Sequence, residues 1–375
     1  MKVLVVMPFK DKHKVLMAQN FPQVEFIYER NPGKELVENV EAIIGNVKPS
    51  LLKDAKNLRW LQLNSAGTDG YCEKGILPMQ TILTNATGAY GLALSEYMLA
   101  VLMAMQKKLY SYHDNQKQSL WKDEGEVTSI FESTILVVGL GDIGSCFAKR
   151  VKALGAKVIG IKRRLGEKPD YVDELVSLDK LNEYLPKVDI VATVLPGTKA
   201  TYQIFDKEKF ALMKKGAFFI NAGRGSAVVE DDLIEALNSN HLAGAAIDVT
   251  HIEPLPQTSA LWQTKNLHIT PHTAGQYHLA KTLDNIVNIA KDNLQALTDD
   301  KELKNILLET MRVYDMEEYL FGKLEGKLIL LIMDINGGFS GDKPYMQGYS
   351  ILDGITNEEK NIIFLDYING WENID

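Results

Sequence analysis

Two cysteines in 375 residues, Cys72 and Cys146, are too few for a disulfide framework, and no Cys/His spacing resembles a metal-ligand set. The fold must therefore rest on a packed core, with no metal expected and a reducing cytoplasm as the natural setting. No apolar run approaches the ~20 residues needed to cross a bilayer, so no membrane partner is expected. The first residues, MKVLVVMPFKDKHK, hold too short an apolar run for a secretory signal and lack a small-residue cleavage site. A basic patch is also missing. The formal net charge is −8, and this argues against nucleic acid as a partner.

That charge is unevenly spread. From Met316 onward 11 acidic residues stand against 4 lysines, leaving 38 acidic and 37 basic residues in the remainder. The body is nearly neutral and the tail is a separate question. Residues 313–375 carry many aromatics and glycines, with KLILLIMDI and NIIFLDYI as candidate strands. The composition fits an oligomer arm, a small fused module or sequence read through from a neighbouring frame, and no chemistry is visible in it.

What is present points to an α/β protein. Apolar content of 46% with 24% charged residues is that of a globular chain, and the length suffices for two cores. KVLVVM, VEFIYE, EAIIGN, LRWLQLN and TILTNA read as strands separated by helical spacing, the pattern of a parallel sheet covered by helices. A long Ala-, Leu- and Met-rich helix is expected at about 92–116 and another at about 276–297. Between them lies a second βα series with the strands ILVV, KVIGI, VDIVATVLP, GAFFINAG, LAGAAIDVT and NLHITPH. Two helices bracketing that series predict a discontinuous outer domain, 1–98 and 285–312, around an inner domain, 99–284. A cleft between the two is the default ligand site.

The strongest local signal is Gly139-x-Gly141-x-x-Gly144, with Asp142 and Ile143 inside it. It follows a strand and opens a helix, as a dinucleotide fingerprint requires. Gly139 permits the turn, Gly141 lets backbone approach a pyrophosphate, and Gly144 allows close helix–strand packing. The helix N-terminus adds unpaired N–H groups and partial positive charge. At the tip of the next strand, 18 positions after Gly144, stands Lys162, followed by Arg163 and Arg164. A carboxylate there would grip the adenine ribose and repel a 2′-phosphate by roughly 3 kcal/mol at ~5 Å and a dielectric of ~20. Three cations remove that repulsion and offer donors. NADP(H) is favoured over NAD(H), the alternative being that the run is a solvated basic turn.

Three segments each follow an expected strand and so project to one carboxyl edge: NAGRGS with Arg224, DVTHIEPLP with Glu253, and ITPHTAG with His272. Hydride transfer at an alcohol carbon needs a proton carrier, which histidine provides near neutral pH. It also needs a carboxylate to orient the imidazole and stabilise its protonated form, and a cation for an anionic substrate and its carbonyl. His272, Glu253 and Arg224 meet these needs. His13, His113, His241 and His278 receive no role, while His251 and His268 lie near the site in sequence.

With these motifs the chain resembles the D-isomer-specific 2-hydroxyacid dehydrogenase family, which includes glyoxylate/hydroxypyruvate reductases and phosphoglycerate dehydrogenases. GLGDIG, the run LPGTKATYQIFDKEKFALMKKGAFFINAGRGSAVVEDDLIEAL, GAAIDVTHIEPLP and LWQTKNLHITPHTAG carry the likeness, which extends from near the start to about residue 312. The resemblance implies two Rossmann-like lobes, a flavodoxin-like substrate domain and a dinucleotide-binding domain, with a cleft between them and a homodimeric assembly. It implies that Arg224 grips the substrate, that Glu253 pairs with His272, and that His272 shuttles the proton. The loop NSAGTDG would bring the amides of Ala66, Gly67 and Thr68 to the substrate carboxylate. Pro196 and Gly197, Ala222 and Gly223, and Asp248 would line the nicotinamide and its ribose.

The expected activity is reduction of a small 2-keto acid to the D-2-hydroxy acid, phosphoglycerate being disfavoured because the acidic tail is unlike a regulatory domain. The rivals are an NAD(H)-linked dehydrogenase working oxidatively and a redox-sensing binding protein on the same scaffold, as in the related transcriptional corepressors. Substrate choice falls to the loops around Tyr71, Tyr90 and Tyr97.

Overall fold

The computed structural model describes residues 1–308, residue 74 apart, together with three short strands further on. The first half alternates strands and helices: β1 (Lys2–Val5), α1 (Asp11–Asn20), β2 (Glu25–Tyr28), α2 (Lys34–Glu38), β3 (Ala42–Ile44), β4 (Trp60–Gln62) and β5 (Ile82–Thr84). These strands pair in parallel in the order β5-β4-β3-β1-β2. β3 and β4 are buried at every position, as apolar runs in a sheet covered on both faces should be.

Two helices then lead away, α3 (Gly91–Gln106) and α4 (Leu109–Lys117). The single helix expected over 92–116 is thus broken at Lys107–Lys108. The apolar pattern ends at Gln106, and Lys108 turns left-handed at φ 53° while its ammonium reaches the carbonyl of Glu124. That contact ties α4 to the loop that follows it, and a straight helix would not make it.

The second series is β6 (Thr134–Val138), α5 (Asp142–Ala153), β7 (Lys157–Lys162), β8 (Glu174–Ser177), α6 (Leu181–Tyr184), β9 (Ile190–Thr193), α7 (Lys207–Leu212), β10 (Ala217–Asn221), α8 (Glu230–Asn238), β11 (Leu242–Ile247) and β12 (Leu267–Ile269). All seven strands are parallel, in the order β12-β11-β10-β9-β6-β7-β8. The chain runs outward from β6 in one direction and from β9 in the other. The crevice at the carboxyl ends of β6 and β9 is thus the switch point where ligands of such sheets bind.

The chain then returns. α9 (Ala280–Thr298), starting four residues later than the sequence spacing predicts, and β13 (Ile306–Leu308) pack on the first sheet, β13 antiparallel to β5. Asn293 of α9 donates to Gln62 (2.8 Å), which also accepts from Thr84 (2.8 Å), itself the acceptor for the Trp60 indole (2.8 Å). All four side chains are buried, so the network has to be fully paired and fixes the helix in register on the sheet. Trp60, Phe147 and Phe219 are fully buried, and side chains of this kind contribute roughly 1.5–3 kcal/mol each.

The remaining strands, β14 (Ile329–Met333), β15 (Tyr349–Asp353) and β16 (Glu359–Ile363), form an antiparallel sheet. KLILLIMDI contains β14 and NIIFLDYI overlaps β16; the role of the 313–375 tail otherwise lies outside the described residues. Among the described residues no helix is long and apolar enough to cross a membrane.

Candidate active site

The glycine loop follows β6, whose last four residues are buried. Gly139 has φ +100°, and a Cβ there would sit 3.1 Å from the carbonyl oxygen of Val194. A Cβ on Gly144 would lie 2.1 Å from the carbonyl oxygen of Gly139, closer than any atom pair tolerates. Gly141 has no atom within 4 Å of its absent side chain. Two glycines are therefore demanded by packing, and the third leaves an open cradle where a phosphate can meet backbone.

The first N–H groups of α5 have no partner inside the helix, and the helix begins at that opening. Asp142 opens α5, yet its carboxylate turns aside and accepts the N–H of Gly91 at 3.0 Å, capping α3 instead of crowding the cradle. Lys162 ends β7 and is exposed, as are Arg163 and Arg164. The cradle and the cations at the end of β7 fit the phosphates of a dinucleotide.

β9 and β10 deliver the next turns to the same edge. Thr201 donates to the Pro196 carbonyl at 2.5 Å. Gly223 packs so closely on this turn that a Cβ would be 2.6 Å from the Leu195 carbonyl oxygen. Asn221, at the end of β10, shapes the loop by accepting the Gly223 N–H (3.1 Å) and donating to the Arg224 carbonyl (3.0 Å). Nothing in the sequence singles out Asn221 for this task.

A cleft of about 570 Å³ opens between the two sheets. Of the expected residues, Ala66, Gly67, Ile143, Ala222, Gly223, Arg224, Asp248, Glu253 and His272 line it, with Tyr71 and Tyr90. Thr68 does not; its carbonyl accepts the Tyr71 N–H at 3.0 Å. Gly139, Gly141, Asp142, Gly144, Lys162, Arg163, Arg164 and Pro196 lie beyond the cleft lining, along the carboxyl edge of the second sheet.

His272 Nδ1 is 2.7 Å from Glu253 Oε2, while Glu253 Oε1 accepts the Thr250 N–H at 3.0 Å. The carboxylate is an acceptor, so Nδ1 carries the proton and Nε2 is left for the cleft. His272 has φ 52°, and its N–H donates to the Asp248 carbonyl at 2.8 Å. The Asp248 carboxylate accepts from the Thr270 hydroxyl (2.5 Å) and from the N–H groups of Thr273 (3.1 Å) and Ala274 (3.2 Å). Burial pushes Asp248 above the ordinary carboxylate range, opposed by those donors and by His272. Tyr97 stands outside the cleft and bonds the Thr270 hydroxyl (2.8 Å). One buried acid thus braces the turn that carries the histidine.

Arg224 crosses to the loop after β4. Its Nε and Nη2 donate to Asp69 Oδ2 at 3.2 and 3.0 Å, and its Nη1 donates to the Gly223 carbonyl at 2.9 Å. A Cβ on Gly67 would lie 1.5 Å from Nη2, so only glycine admits this guanidinium. The opposite wall is polar. Asn46 and Asn64 exchange backbone-to-side-chain bonds (2.6 and 2.9 Å), Asn64 donates to the Tyr277 hydroxyl, and Tyr90 donates to the Asn64 carbonyl. Burial pushes Tyr71 and Tyr277 up to about 12 and Tyr90 further, so all three are neutral phenols. Asp69, Asn46, Asn64 and Tyr277 escaped the sequence reading, although Asp69 stands inside the NSAGTDG loop itself.

Residues 99–274 match the family model described as D-isomer specific 2-hydroxyacid dehydrogenase, NAD binding domain. A D-isomer specific 2-hydroxyacid dehydrogenase family protein from Aeromonas salmonicida, of known structure, is 30% identical with a TM-score of 0.74; the match covers 82% of this chain and 98% of that one. The chain belongs to the D-isomer-specific 2-hydroxyacid dehydrogenase family. Two further members define its neighbourhood. Glyoxylate/hydroxypyruvate reductase A of Serratia proteamaculans is 28% identical over 285 residues, 73% of this chain and 89% of that protein. The NADPH-dependent glyoxylate/hydroxypyruvate reductase of Sinorhizobium meliloti, solved with NADP and sulfate, is 25% identical with a TM-score of 0.71 over 82% of this chain and 98% of that one. As a 2-hydroxyacid dehydrogenase the chain is a nicotinamide-dependent oxidoreductase acting on CH–OH donors, and its second sheet lies in the region matched as the family's dinucleotide-binding unit.

Proposed function

We propose that the chain reduces a small 2-keto acid to the D-2-hydroxy acid with NADP(H) as the favoured cofactor. The observation that carries this reading is the 2.7 Å His272–Glu253 pair sharing one cleft with Arg224, beside the glycine cradle. A bound nicotinamide supplies the hydride for the keto carbon. Arg224 and the amides of Ala66 and Gly67, without Thr68, hold the substrate carboxylate, and the guanidinium polarises the keto group. His272 Nε2 gives its proton to the keto oxygen, with Glu253 holding the ring and stabilising the cationic form. Pro196, Ala222, Gly223 and Asp248 line the nicotinamide end, while Lys162, Arg163 and Arg164 take the 2′-phosphate. In this reading 1–98 with 285–312 forms the substrate lobe and 99–284 the dinucleotide lobe.

The test is reduction of glyoxylate, hydroxypyruvate and phenylpyruvate by the purified chain, with NADPH and NADH side by side. Turnover favouring NADPH supports the reading. Turnover favouring NADH makes the three cations a solvated turn and the enzyme NAD(H)-linked. Tight nucleotide binding without turnover of any 2-keto acid replaces the reductase by a redox-sensing binding protein.

A further inference from the structure

The charged side chains lining the cleft are Asp69, Arg224, Asp248, Glu253 and His272. Two of the three acids are committed to the catalytic turn: Glu253 to His272, and Asp248, only 2% exposed, to the backbone around it. Asp69 is different. Its side chain is 68% exposed, and it reaches Arg224 across a sequence separation of 155 residues. Only Oδ2 meets the guanidinium; Oδ1 lies toward Gly197, where a Cβ would stand 3.5 Å away. Among the described residues neither a lysine nor a second arginine lines the cleft. The one permanent cation among the described lining residues is thus already facing an anion before any substrate arrives.

A 2-keto acid that docks its carboxylate on Arg224 shares that cation with Asp69. One negative charge is accommodated, because the guanidinium has donors on two edges and the loop amides add more. A second anionic group on the same molecule meets Asp69 with no further cation to answer it. The geometry points to Asp69 as a specificity-determining residue that confines the site to 2-keto acids bearing a single negative charge. The inference rests on the 2-keto acid reading above. Two like charges ~6 Å apart at a dielectric of ~20 disfavour binding about a hundredfold, which salt and the exposure of Asp69 reduce to about tenfold.

Oxaloacetate and its amide, 2-oxosuccinamate, have the same shape and differ in the charge of the tail. For the wild-type chain with saturating cofactor, kcat/KM for the amide should exceed that for oxaloacetate by about tenfold or more. In Asp69→Asn the ratio should fall towards unity through a lower KM for oxaloacetate, and Asp69→Glu should retain the discrimination. A cofactor-induced rise in melting temperature equal to that of wild type shows that each variant is folded. Equal loss with both substrates in Asp69→Asn makes the residue a mere holder of Arg224 and overturns the inference. So does a wild-type chain that does not discriminate but reduces glyoxylate. Absence of turnover with every 2-keto acid removes the reductase reading itself, and this inference with it.

Discussion

At φ 52° His272 occupies a left-handed conformation that costs a residue with a Cβ roughly 1–2 kcal/mol. The bonds from its N–H to Asp248 and from its ring to Glu253 hold it there. His272→Gln should lower kcat by about 10²–10⁴ while nucleotide affinity stays as in wild type. Isothermal titration of the variant checks the second half, and a lost nucleotide site would contradict the assigned role. His268, four positions earlier, behaves in the opposite way. It stacks on Tyr110 with ring centroids 3.5 Å apart, and burial pushes it down to about 4, against the pull of Asp114.

The folded chain therefore keeps His268 neutral where the unfolded chain, with an ordinary value of 6.5, takes up a proton. Its contribution to stability is complete above pH 6.5 and is lost as pH falls towards 4. His268→Phe keeps the stack and removes the proton site. Between those pH values the wild-type chain should lose stability relative to His268→Phe, read as the difference between the two urea midpoints. A constant difference across that range would show that the histidine is not the titrating group.

At the scale of elements the decisive contact is the β6–α5 turn. With 2.1 Å between an added Cβ on Gly144 and the Gly139 carbonyl oxygen, the helix has to move away from the strand before alanine fits. Gly144→Ala should cost roughly 1–3 kcal/mol in denaturant unfolding and weaken nucleotide binding by about tenfold or more, the equivalent of ~1.4 kcal/mol. Gly166→Ala is the control, because that position faces open space. Unchanged nucleotide binding in Gly144→Ala would mean that the cradle lies elsewhere. This turn was readable from spacing alone, since its glycine demands arise among neighbours a few residues apart. The break between α3 and α4 was not, because Lys108 leaves the helical path to reach Glu124 in a loop that the helical pattern does not foretell.

For the whole molecule, a ligand that binds only the folded state raises stability with its concentration, by ~2.7 kcal/mol at about 100 times its dissociation constant. NADPH should therefore raise the melting temperature more than NADH at equal concentration. The combined replacement Lys162→Ser, Arg163→Ser and Arg164→Ser should abolish the excess while leaving the NADH shift in place. If both shifts fall together, the three cations serve the fold and not the 2′-phosphate.

The alternation of strands and helices, short of β8, β13 and the break after α3, and the glycine turn were legible in the sequence, which also nominated Arg224, Glu253 and His272. Side-chain period and local sterics act over a few residues and leave their mark in the chain. Only the tertiary structure decided that Asp69 would face Arg224, that Asn293 would close a buried network with Gln62, and that His268 would lie stacked and neutral. Each of these joins segments that folding brings together from far apart, and the energy of such a contact depends on burial and charge that no local pattern encodes.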